Sequence, residues 1–257
     1  MNLVLLQDSD AWSAEGMVTL TDHRADHIVR QLKAAIGDVV RVGVLGGQVG
    51  EGRVEAIDHS HVTLSVQLQA DPPPRHRFDI VLALPRPKML RRILRTVAEF
   101  GVENLHLIHS ARVEKSYWQS PLLSPAKVKE ALMAGMERSS DTILPRVHLH
   151  HRFRPFVEDQ LVECCAGRPC WLADRGAPLA LAAQSPGPAV VMIGPEGGFV
   201  PFEIALAQSV LAQRVHVGVR TLSVDTALTT VLAQGLPLTT ACDEMGQTFG
   251  LSWSPTR

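Results

Sequence analysis

The chain lacks the segments that place a protein in or across a membrane. None of its hydrophobic runs is long enough to cross a bilayer. The N-terminal sequence MNLVLLQDSD has neither a basic start nor a small-residue cleavage site, so it does not resemble a signal peptide. With 46% hydrophobic and 20% charged residues, the composition is ordinary for a globular protein. We therefore expect a soluble, cytoplasmic protein without a membrane partner.

The chain also lacks the cysteine spacing that is typical of structural zinc sites. Its four cysteines form no C-x-x-C pair, and the adjacent Cys164 and Cys165 are poorly spaced for zinc. Three histidines, His148, His150 and His151, lie at the end of a predicted strand without carboxylates at a useful spacing. We predict reduced, partly buried thiols, no metal site, and a histidine patch that faces solvent or RNA.

Net charge is low, −1 at pH 7, but the positive charges are unevenly distributed. Residues 75–95 contain seven basic side chains and one acid, Asp79. The basic residues are Arg75, Arg77, Arg86, Lys88, Arg91, Arg92 and Arg95. Two interpretations stay open: the solvated face of an ordinary helix, or a surface that binds the phosphates of a nucleic acid.

Two parts of the chain differ in hydrophobic periodicity. In residues 1–70, alternation at 38–44 and 62–68 predicts strands, with a glycine turn at Gly46-Gly47. One helix is predicted over about 25–35, with Asp22 as its cap. The proline-rich segment 71–75 predicts a stiff linker. We therefore predict two domains, residues 1–71 and 75–257.

After the linker, predicted strands alternate with predicted helices, which is typical of a largely parallel sheet covered on both faces. The strands are predicted at 78–84, 104–109, 146–150, 171–173, 190–193 and 215–217, and the helices at 88–100, 124–138, 156–165, 202–212 and 226–241. The second part of the chain is therefore predicted to have an α/β fold. Ligands of such folds bind at the carboxyl ends of strands.

Two late strands end in glycine loops. The apolar run 190–193 is followed by Gly194-Pro-Glu-Gly-Gly, and the strand near Val217 is followed by Gly218. Neither loop matches G-x-G-x-x-G or a P-loop, which argues against a dinucleotide or nucleotide enzyme. A loop with so few side chains is either a tight turn or a place where the backbone closely approaches a ligand.

These segments resemble the SPOUT, or α/β-knot, methyltransferases. The match consists of Gly194-Pro-Glu-Gly-Gly-Phe with Glu203-Ile, followed by Val217-Gly-Val-Arg-Thr-Leu-Ser-Val-Asp-Thr-Ala. The closest resemblance is to the family that methylates N3 of a uridine in small-subunit 16S ribosomal RNA, often called RsmE. Further matches are His27-x-x-Arg30-x-Leu-Lys with Gly37-Asp38, Glu99-Phe-Gly-Val and Glu137-Arg-Ser.

The resemblance implies a fold, a cofactor and partners. It implies an N-terminal PUA-like β-barrel over residues 1–71 and a C-terminal SPOUT domain with a trefoil knot over residues 75–257. It also implies a homodimer that binds S-adenosylmethionine between backbone loops and acts on 16S rRNA or the assembled small ribosomal subunit. The cofactor-binding residues implied are Leu172, Ile193, Gly194, Glu196, Gly197, Gly198, Val217, Gly218, Leu222, Thr226 and Ala227.

Methylation of uridine N3 needs a group that stabilises the uracil anion and a group that accepts its proton. Within the second motif, Arg220 and Asp225 are the candidates. Alternatively, Arg220 bonds to loop carbonyls or a partner subunit, and Asp225 caps the last helix. The RNA-binding residues implied are Arg24, Arg30 and Lys33 in the barrel and Arg86, Lys88, Arg91, Arg92 and Arg95 near the first helix of the second domain.

The chain departs from the family pattern at three positions. Ser223 stands where the family has an arginine, Asp225 stands in place of a glutamate, and Asp141 lies about where another arginine is usual. Two hypotheses follow. The chain is an active uridine methyltransferase, as the intact glycine loops indicate, or it is a methyltransferase-like RNA-binding protein with an altered substrate or no activity, as the lost arginines indicate.

Overall fold

The structure, a computed structural model, describes residues 2–13, 15–58, 61–184 and 187–236. These residues contain two six-stranded sheets. The strands of the first are Val4–Leu6 (β1), Ala11–Trp12 (β2), Met17–Leu20 (β3), Val39–Val44 (β4), Val49–Asp58 (β5) and His61–Ala70 (β6). Their order is β1-β4-β5-β6-β3-β2, with β1 parallel to β4 and the other neighbours antiparallel. This mixed sheet is the one predicted from the alternating stretches.

The first sheet encloses a small core of its own. Its strands alternate in burial because successive side chains point to opposite faces, and the inward residues include Val18, Leu20, Val42 and Leu64. The predicted helix is a short α-helix, His23–Asp26 (α1), continued by a π-helical turn over His27–Gln31. As predicted, Asp22 caps it, since its carboxylate accepts a hydrogen bond from the Arg24 N–H at 2.9 Å.

The second sheet is entirely parallel within the described residues. Its strands are Phe78–Ala83 (β7), Asn104–Ile108 (β8), Arg146–His150 (β9), Cys170–Ala173 (β10), Ala189–Ile193 (β11) and Gln213–Val215 (β12). Their order is β12-β10-β11-β7-β8-β9. β7 and β11 are buried along their whole length, as expected for central strands of a sheet covered on both faces.

Helices cover both faces of the second sheet, as predicted. The α-helices are Pro87–Glu99 (α2), Pro125–Ser139 (α3), Phe153–Pro155 (α4), Leu161–Cys165 (α5), Pro201–Val210 (α6) and Val224–Gln234 (α7), with a π-helical turn over Phe156–Gln160 between α4 and α5. In α2, the apolar residues Leu90, Ile93, Leu94 and Val97 form the buried face. Because these apolar residues recur every three or four positions, they share one face of the helix, and the basic residues lie on the opposite face.

Three of the differences from the predicted element boundaries concern the later part of the chain. The last strand, predicted at 215–217, ends at Val215, because its pairing with β10 ends there. The last helix begins at Val224 rather than at residue 226, and the predicted continuation to residue 241 lies outside the described residues. The single helix predicted at 156–165 is instead divided between α4, the π-helical turn and α5.

The first sheet contacts helix α3 of the second part of the chain. The Asn2 and Leu3 N–H groups both donate to the carbonyl of Glu137 in α3, and the Leu3 side chain belongs to the larger core around the second sheet. Arg75, in the predicted linker, forms an ion pair with the buried Asp141 at 2.5 Å between Nη2 and Oδ2. Asp141, one of the three departures, is therefore a structural acid. The division into two domains at residues 71–75 stays a prediction.

After β12, at the edge of the sheet, the chain returns to the middle of the molecule. There α7 packs against β11 and α2, and its residues Leu228, Val231 and Leu232 are fully buried. The end of α7 is fixed by His76, whose Nε2 lies 2.8 Å from the Leu232 carbonyl oxygen. Searched over its described residues, the chain has no helix that is both long and apolar enough to span a membrane.

Candidate functional site

Three loops meet at the carboxyl edge of the second sheet, because they follow the neighbouring strands β12, β10 and β11. They surround a cavity of about 290 Å³. The lining residues are Ala173, Asp174, Arg175, Ile193, Gly194, Pro195, Glu196, Gly197, Gly198, Phe199, Ile204, Val217, Gly218, Arg220, Thr221, Leu222, Val224 and Ala227. Both glycine loops contribute, so the sequence correctly placed them side by side.

The loop between β11 and α6 brings backbone rather than side chains to the cavity. Gly198 has a φ of +72° and donates its N–H to the Pro195 carbonyl at 2.7 Å, which closes a tight turn. A Cβ on Gly194 would lie 3.0 Å from the Phe199 nitrogen, closer than ordinary contacts allow. A side chain at Gly194 would therefore press on the backbone of the same loop, so the packing of the loop itself favours glycine at this position.

A buried carboxylate holds this loop in place. Glu203, in the first turn of α6, accepts hydrogen bonds from the Val200 N–H at 2.9 Å, the Ala111 N–H at 2.8 Å and the Ser110 hydroxyl at 3.1 Å. It is only 2% exposed. The guanidinium of Arg112 also donates to the carbonyls of Gly197 and Gly198. The segment after β8 is thereby tied to the glycine loop.

The loop after β10 is anchored on β12. The Asp174 N–H donates to the Val215 carbonyl at 2.9 Å, and the Asp174 carboxylate accepts hydrogen bonds from Arg214. Next to it, Arg175 points its Nη1 to the Thr221 hydroxyl at 2.7 Å, in the third loop. This loop was not predicted as part of the site, and its sequence Asp-Arg-Gly looks like a plain turn.

The third loop, between β12 and α7, combines an unusual backbone with two charged residues. Gly218 has a φ of +133°, a conformation that residues with a Cβ rarely adopt. Arg220 lies on the exposed rim of the cavity, and within the described parts of the chain it has no hydrogen-bond or ion-pair partner. The bond to loop carbonyls that was one alternative for Arg220 is therefore not formed among these residues.

The structure corrects the prediction that Asp225 caps the last helix. Ser223 occupies the cap position, and Asp225 lies one residue inside α7. The Ser223 hydroxyl donates to Asp225 Oδ1 at 2.6 Å, and Arg92 donates to Oδ2 at 3.0 Å. These hydrogen bonds lower the pKa of Asp225, so the carboxylate is a weak proton acceptor where it stands.

Most of the residues predicted to bind the cofactor line the cavity, and two do not. Leu172 is fully buried in the core, and its neighbour Ala173 lines the cavity instead. Successive side chains of a strand point to opposite faces of the sheet, so Leu172 and Ala173 point in opposite directions. Thr226 is exposed and bonds to the Ser223 hydroxyl at 2.9 Å, outside the lining. Asp225 also lies outside the lining.

Comparison with known proteins identifies the family. The family model described as the RNA methyltransferase domain matches residues 72–234, more than half of the chain. The chain belongs to the RNA methyltransferase domain family. The matched region contains the whole of the second sheet and all three loops of the cavity.

Relatives of this RNA methyltransferase domain include two curated proteins. The ribosomal RNA small subunit methyltransferase E of Treponema pallidum (strain Nichols) is 29% identical over 157 residues, which are 61% of this chain and 59% of that protein. The chain thus spans somewhat less than two thirds of that relative. The ribosomal RNA small subunit methyltransferase E 1 of Borreliella burgdorferi is 21% identical over 230 residues, 88% of this chain and 94% of that protein.

A solved structure establishes the fold. It is a ribosomal RNA small subunit methyltransferase E from Neisseria gonorrhoeae bound to S-adenosyl methionine, with 18% identity and a TM-score of 0.71. The similarity covers 91% of this chain and 95% of that chain. The fold is therefore the expected one, a PUA-like β-barrel domain joined to a SPOUT α/β-knot methyltransferase domain.

Among the basic residues predicted to bind RNA, Arg24 has a structural role instead. It is buried, and its guanidinium donates to Asp10, Asp22 and the Leu5 carbonyl. Burial lowers the pKa of Arg24, but the hydrogen bonds to Asp10 and Asp22 raise it by more. The pKa is therefore raised overall, and the guanidinium stays charged. A cation enclosed by these acids is not available to phosphates. The exposed Arg30 and Lys33 stay candidates.

On the methyltransferase domain, three of the predicted basic residues form ion pairs with acids. Arg86 lies 3.6 Å from Glu196 in the glycine loop, Arg92 lies 3.0 Å from Asp225, and Arg91 lies 3.3 Å from Glu130 on α3. Lys88 is exposed, whereas Arg95 is half-buried and its Nε has no hydrogen-bond partner among the described residues. The basic residues at and near the start of α2 thus contact the glycine loop through Arg86 and the first turn of α7 through Arg92.

The histidine patch predicted to face solvent or RNA is partly an internal cluster. His148 stacks on the buried His106 at 4.5 Å between ring centroids, and His150 Nε2 lies 3.1 Å from His106 Nδ1. Burial and the neighbouring imidazoles lower the pKa of His106 to about 4. Counting only described residues, no three His, Cys, Asp or Glu side chains are placed to hold a metal ion.

The cysteines agree with the prediction of free thiols as far as they are described. Cys165 and Cys170 are buried, Cys164 is half-buried, and none of the three forms a disulfide. Cys242 lies outside the described residues.

Proposed function

We propose that this protein transfers a methyl group from S-adenosylmethionine to N3 of a uridine in the 16S ribosomal RNA of the small subunit. The observation that carries the proposal is the cavity lined by glycine-loop backbone at the carboxyl edge of the sheet, in a chain that belongs to the RNA methyltransferase domain family. The names of its relatives, all ribosomal RNA small subunit methyltransferases, support the choice of RNA.

The lining of the cavity fits S-adenosylmethionine. Three glycines of the loop after β11, Gly194, Gly197 and Gly198, line the cavity, so backbone rather than side chains would face the polar edges of the cofactor. Apolar side chains, Ile193, Phe199 and Leu222, provide surfaces for its flat ring. When bound, S-adenosylmethionine would supply the methyl group from its sulfonium, which would leave as a neutral thioether.

The residues of the chain have distinct proposed roles in this reaction. Arg220, which is exposed on the rim and has no carboxylate partner among the described residues, is placed to stabilise the negative charge that develops on the uracil oxygens. Asp225, held by Ser223 and Arg92, orients Arg92 rather than accepting the proton. Lys88 and Arg91 on α2, with Arg30 and Lys33, are proposed to bind RNA phosphates.

We also propose a homodimer and a cytoplasmic location, as the resemblance implies. The alternative, an RNA-binding protein without this activity, is favoured by one observation. Ser223, where the family has an arginine, is uncharged and hydrogen-bonded within its own helix turn. The stronger observation is the cavity lined by both glycine loops, which favours retained cofactor binding and hence the active enzyme.

The experiment measures cofactor binding and methyl transfer separately. Calorimetry with S-adenosylmethionine is expected to show binding that is abolished by Gly218→Val, which cannot adopt a φ of +133° without strain, and weakened by Gly194→Ala. The matched control is Gly47→Ala, in the β4–β5 turn, where an added Cβ makes only ordinary contacts.

Transfer is then followed with labelled cofactor and small subunits purified from a deletion strain, with mass-spectrometric mapping of the methylated nucleotide. Cofactor binding without transfer to any small-subunit RNA would support the RNA-binding alternative. Full affinity in both folded glycine variants would refute the cofactor site itself.

A further inference from the structure

We propose that Arg175 is a substrate-contacting residue, which acts together with Arg220 on the uracil of the RNA. The inference rests on the proposed function and adds to it a residue from a third loop. Arg175 follows β10, lines the cavity and is exposed. Its Nη1 donates to the Thr221 hydroxyl at 2.7 Å, so its guanidinium reaches the residue next to Arg220.

The charges around the cavity single out these two arginines. The lining contains two acids and two arginines: Asp174, Glu196, Arg175 and Arg220. Each acid is paired with an arginine from outside the lining, Asp174 with Arg214 and Glu196 with Arg86. Neither lining arginine has a carboxylate within ion-pair distance among the described residues, so the rim carries uncompensated positive charge.

The backbone of Arg175 is held rigidly, which suits a residue that positions a substrate. The preceding residue, Asp174, donates its N–H to Val215 at 2.9 Å, and the following turn closes with the Ala177 N–H donating to the Asp174 carbonyl at 3.0 Å. Thr221 engages one of the five N–H donors of the guanidinium, and the rest are left for a ligand. A pre-positioned donor loses little conformational freedom when the substrate binds.

The chemistry of the base explains why a second cation is useful. Ionisation of uracil at N3 spreads negative charge onto both flanking carbonyl oxygens, O2 and O4. One guanidinium faces one oxygen well, whereas two guanidiniums on adjacent loops are able to face both. Ser223 carries no charge and its hydroxyl is engaged by Asp225 and Thr226, so it does not provide this second donor. Arg175, in the loop after β10, provides this second donor.

The test compares Arg175→Gln and Arg175→Lys with the wild-type protein in methyl transfer to small subunits. We expect Arg175→Gln to lower kcat by about 100-fold, as removal of one donor to a developing anion does. The pH at which kcat is half-maximal is expected to rise, because the uracil anion is less stabilised. Arg175→Lys, which keeps the charge, is expected to recover part of kcat. The affinity for S-adenosylmethionine is expected to stay unchanged.

The matched control is Arg146→Gln, an exposed arginine at the opposite, amino-terminal end of β9. Wild-type kcat and pH profile in Arg175→Gln would overturn the inference while leaving the proposed function intact. A weaker affinity for S-adenosylmethionine with an unchanged pH profile would also overturn it, because Arg175 would then bind the cofactor carboxylate. A wild-type protein that binds the cofactor but transfers no methyl group overturns the proposed function and this inference together.

Discussion

At the scale of single residues, Glu203 has the most demanding environment near the cavity. Its carboxylate is buried, has no ion pair within the described part of the chain, and accepts three hydrogen bonds, two from backbone N–H groups and one from Ser110. A carboxylate tolerates burial when several donors satisfy its oxygens. Because these donors belong to two separate segments, Glu203 couples the segment after β8 to the glycine loop.

We therefore predict that Glu203→Gln loosens the cofactor site. The amide nitrogen of glutamine cannot accept a hydrogen bond, so at least one buried donor loses its partner, at a cost of about 1–3 kcal/mol in the free energy of unfolding. Urea unfolding and calorimetry are expected to show lower stability and weaker binding of S-adenosylmethionine. The exposed Glu158, which pairs with Arg154, provides the control Glu158→Gln. Unchanged cofactor affinity in Glu203→Gln would show that the coupling does not matter for binding.

A second residue-scale prediction concerns pH. Burial beside two other imidazoles lowers the pKa of His106 from 6.5 to about 4, and burial also lowers the pKa of His76 and His150. Between pH 6.5 and pH about 4, the unfolded chain binds a proton at His106 that the folded chain does not bind. The free energy of unfolding is therefore expected to fall as the pH decreases from 6.5 to 4.

The measurement is urea unfolding at pH 5 and pH 7.5. The wild-type protein is expected to be less stable at pH 5, and His106→Gln is expected to lose less stability between the two conditions. His23→Gln, in the exposed first turn of α1, is the control. If His106→Gln and wild type have the same pH dependence, the histidine cluster does not titrate on unfolding as described.

At the scale of elements, the sequence predicts well whatever depends on local patterns. Strands β7, β9 and β11 and helix α2 were placed within one or two residues, because apolar periodicity and flanking proline or glycine mark them directly. The two glycine loops were found for the same reason. The site loop after β10 was missed, because only the strand order brings Asp174 and Arg175 next to the other loops.

Burial of charged residues was the other point that local patterns did not reveal. Arg24 looks like a surface cation, yet Asp10, fourteen residues earlier, meets it across the barrel. Asp141 and Arg75 are 66 residues apart in sequence and form one ion pair. Such pairs depend on tertiary contacts, and the sequence contains only a weak sign of them, such as Asp22 two residues before Arg24.

The prediction at the scale of elements concerns RNA binding by helix α2. Lys88 and Arg91 are exposed, and Arg91 pairs with the exposed Glu130 on α3. On the side of the cavity, Arg86 and Arg92 pair with Glu196 and Asp225. The face therefore offers cations to RNA next to the site where the base would enter. We predict that Lys88→Ala/Arg91→Ala weakens binding to small subunits and reduces the magnitude of the salt slope by about two units, one for each lost phosphate contact.

The measurement is a titration of salt against affinity, with Arg146→Ala/Arg154→Ala as a control that removes two exposed arginines elsewhere. Equal salt slopes for wild type and the α2 variant would mean that this face is only solvated. The RNA surface would then have to include other basic residues, such as Arg30 and Lys33 in the barrel.

At the scale of the whole molecule, the apolar stripe of Leu228, Val231, Leu232 and Leu236 predicts either a subunit interface or a face that packs on the core of its own chain. Leu228, Val231 and Leu232 face the core of their own chain, and only Leu236 of this stripe is exposed. A better-supported surface lies at the β12 edge of the sheet. Val219, in the third site loop, is 89% exposed, and Leu179, whose carbonyl bonds to the His216 N–H beside β12, is 46% exposed.

Burial of the exposed side chains of Val219 and Leu179 against a second copy of the chain would remove apolar surface from water. We therefore predict a homodimer at micromolar concentration in which this edge is buried. In sedimentation experiments, Val219→Asp is expected to shift the protein towards the 28.0 kDa monomer, because a buried unpaired charge strongly opposes association. Val162→Asp, which replaces a valine that is 57% exposed on α5, is the matched control and is expected to stay dimeric. A wild-type monomer that binds S-adenosylmethionine fully would contradict the dimer. A dimer that is unaffected by Val219→Asp would place its interface on another face.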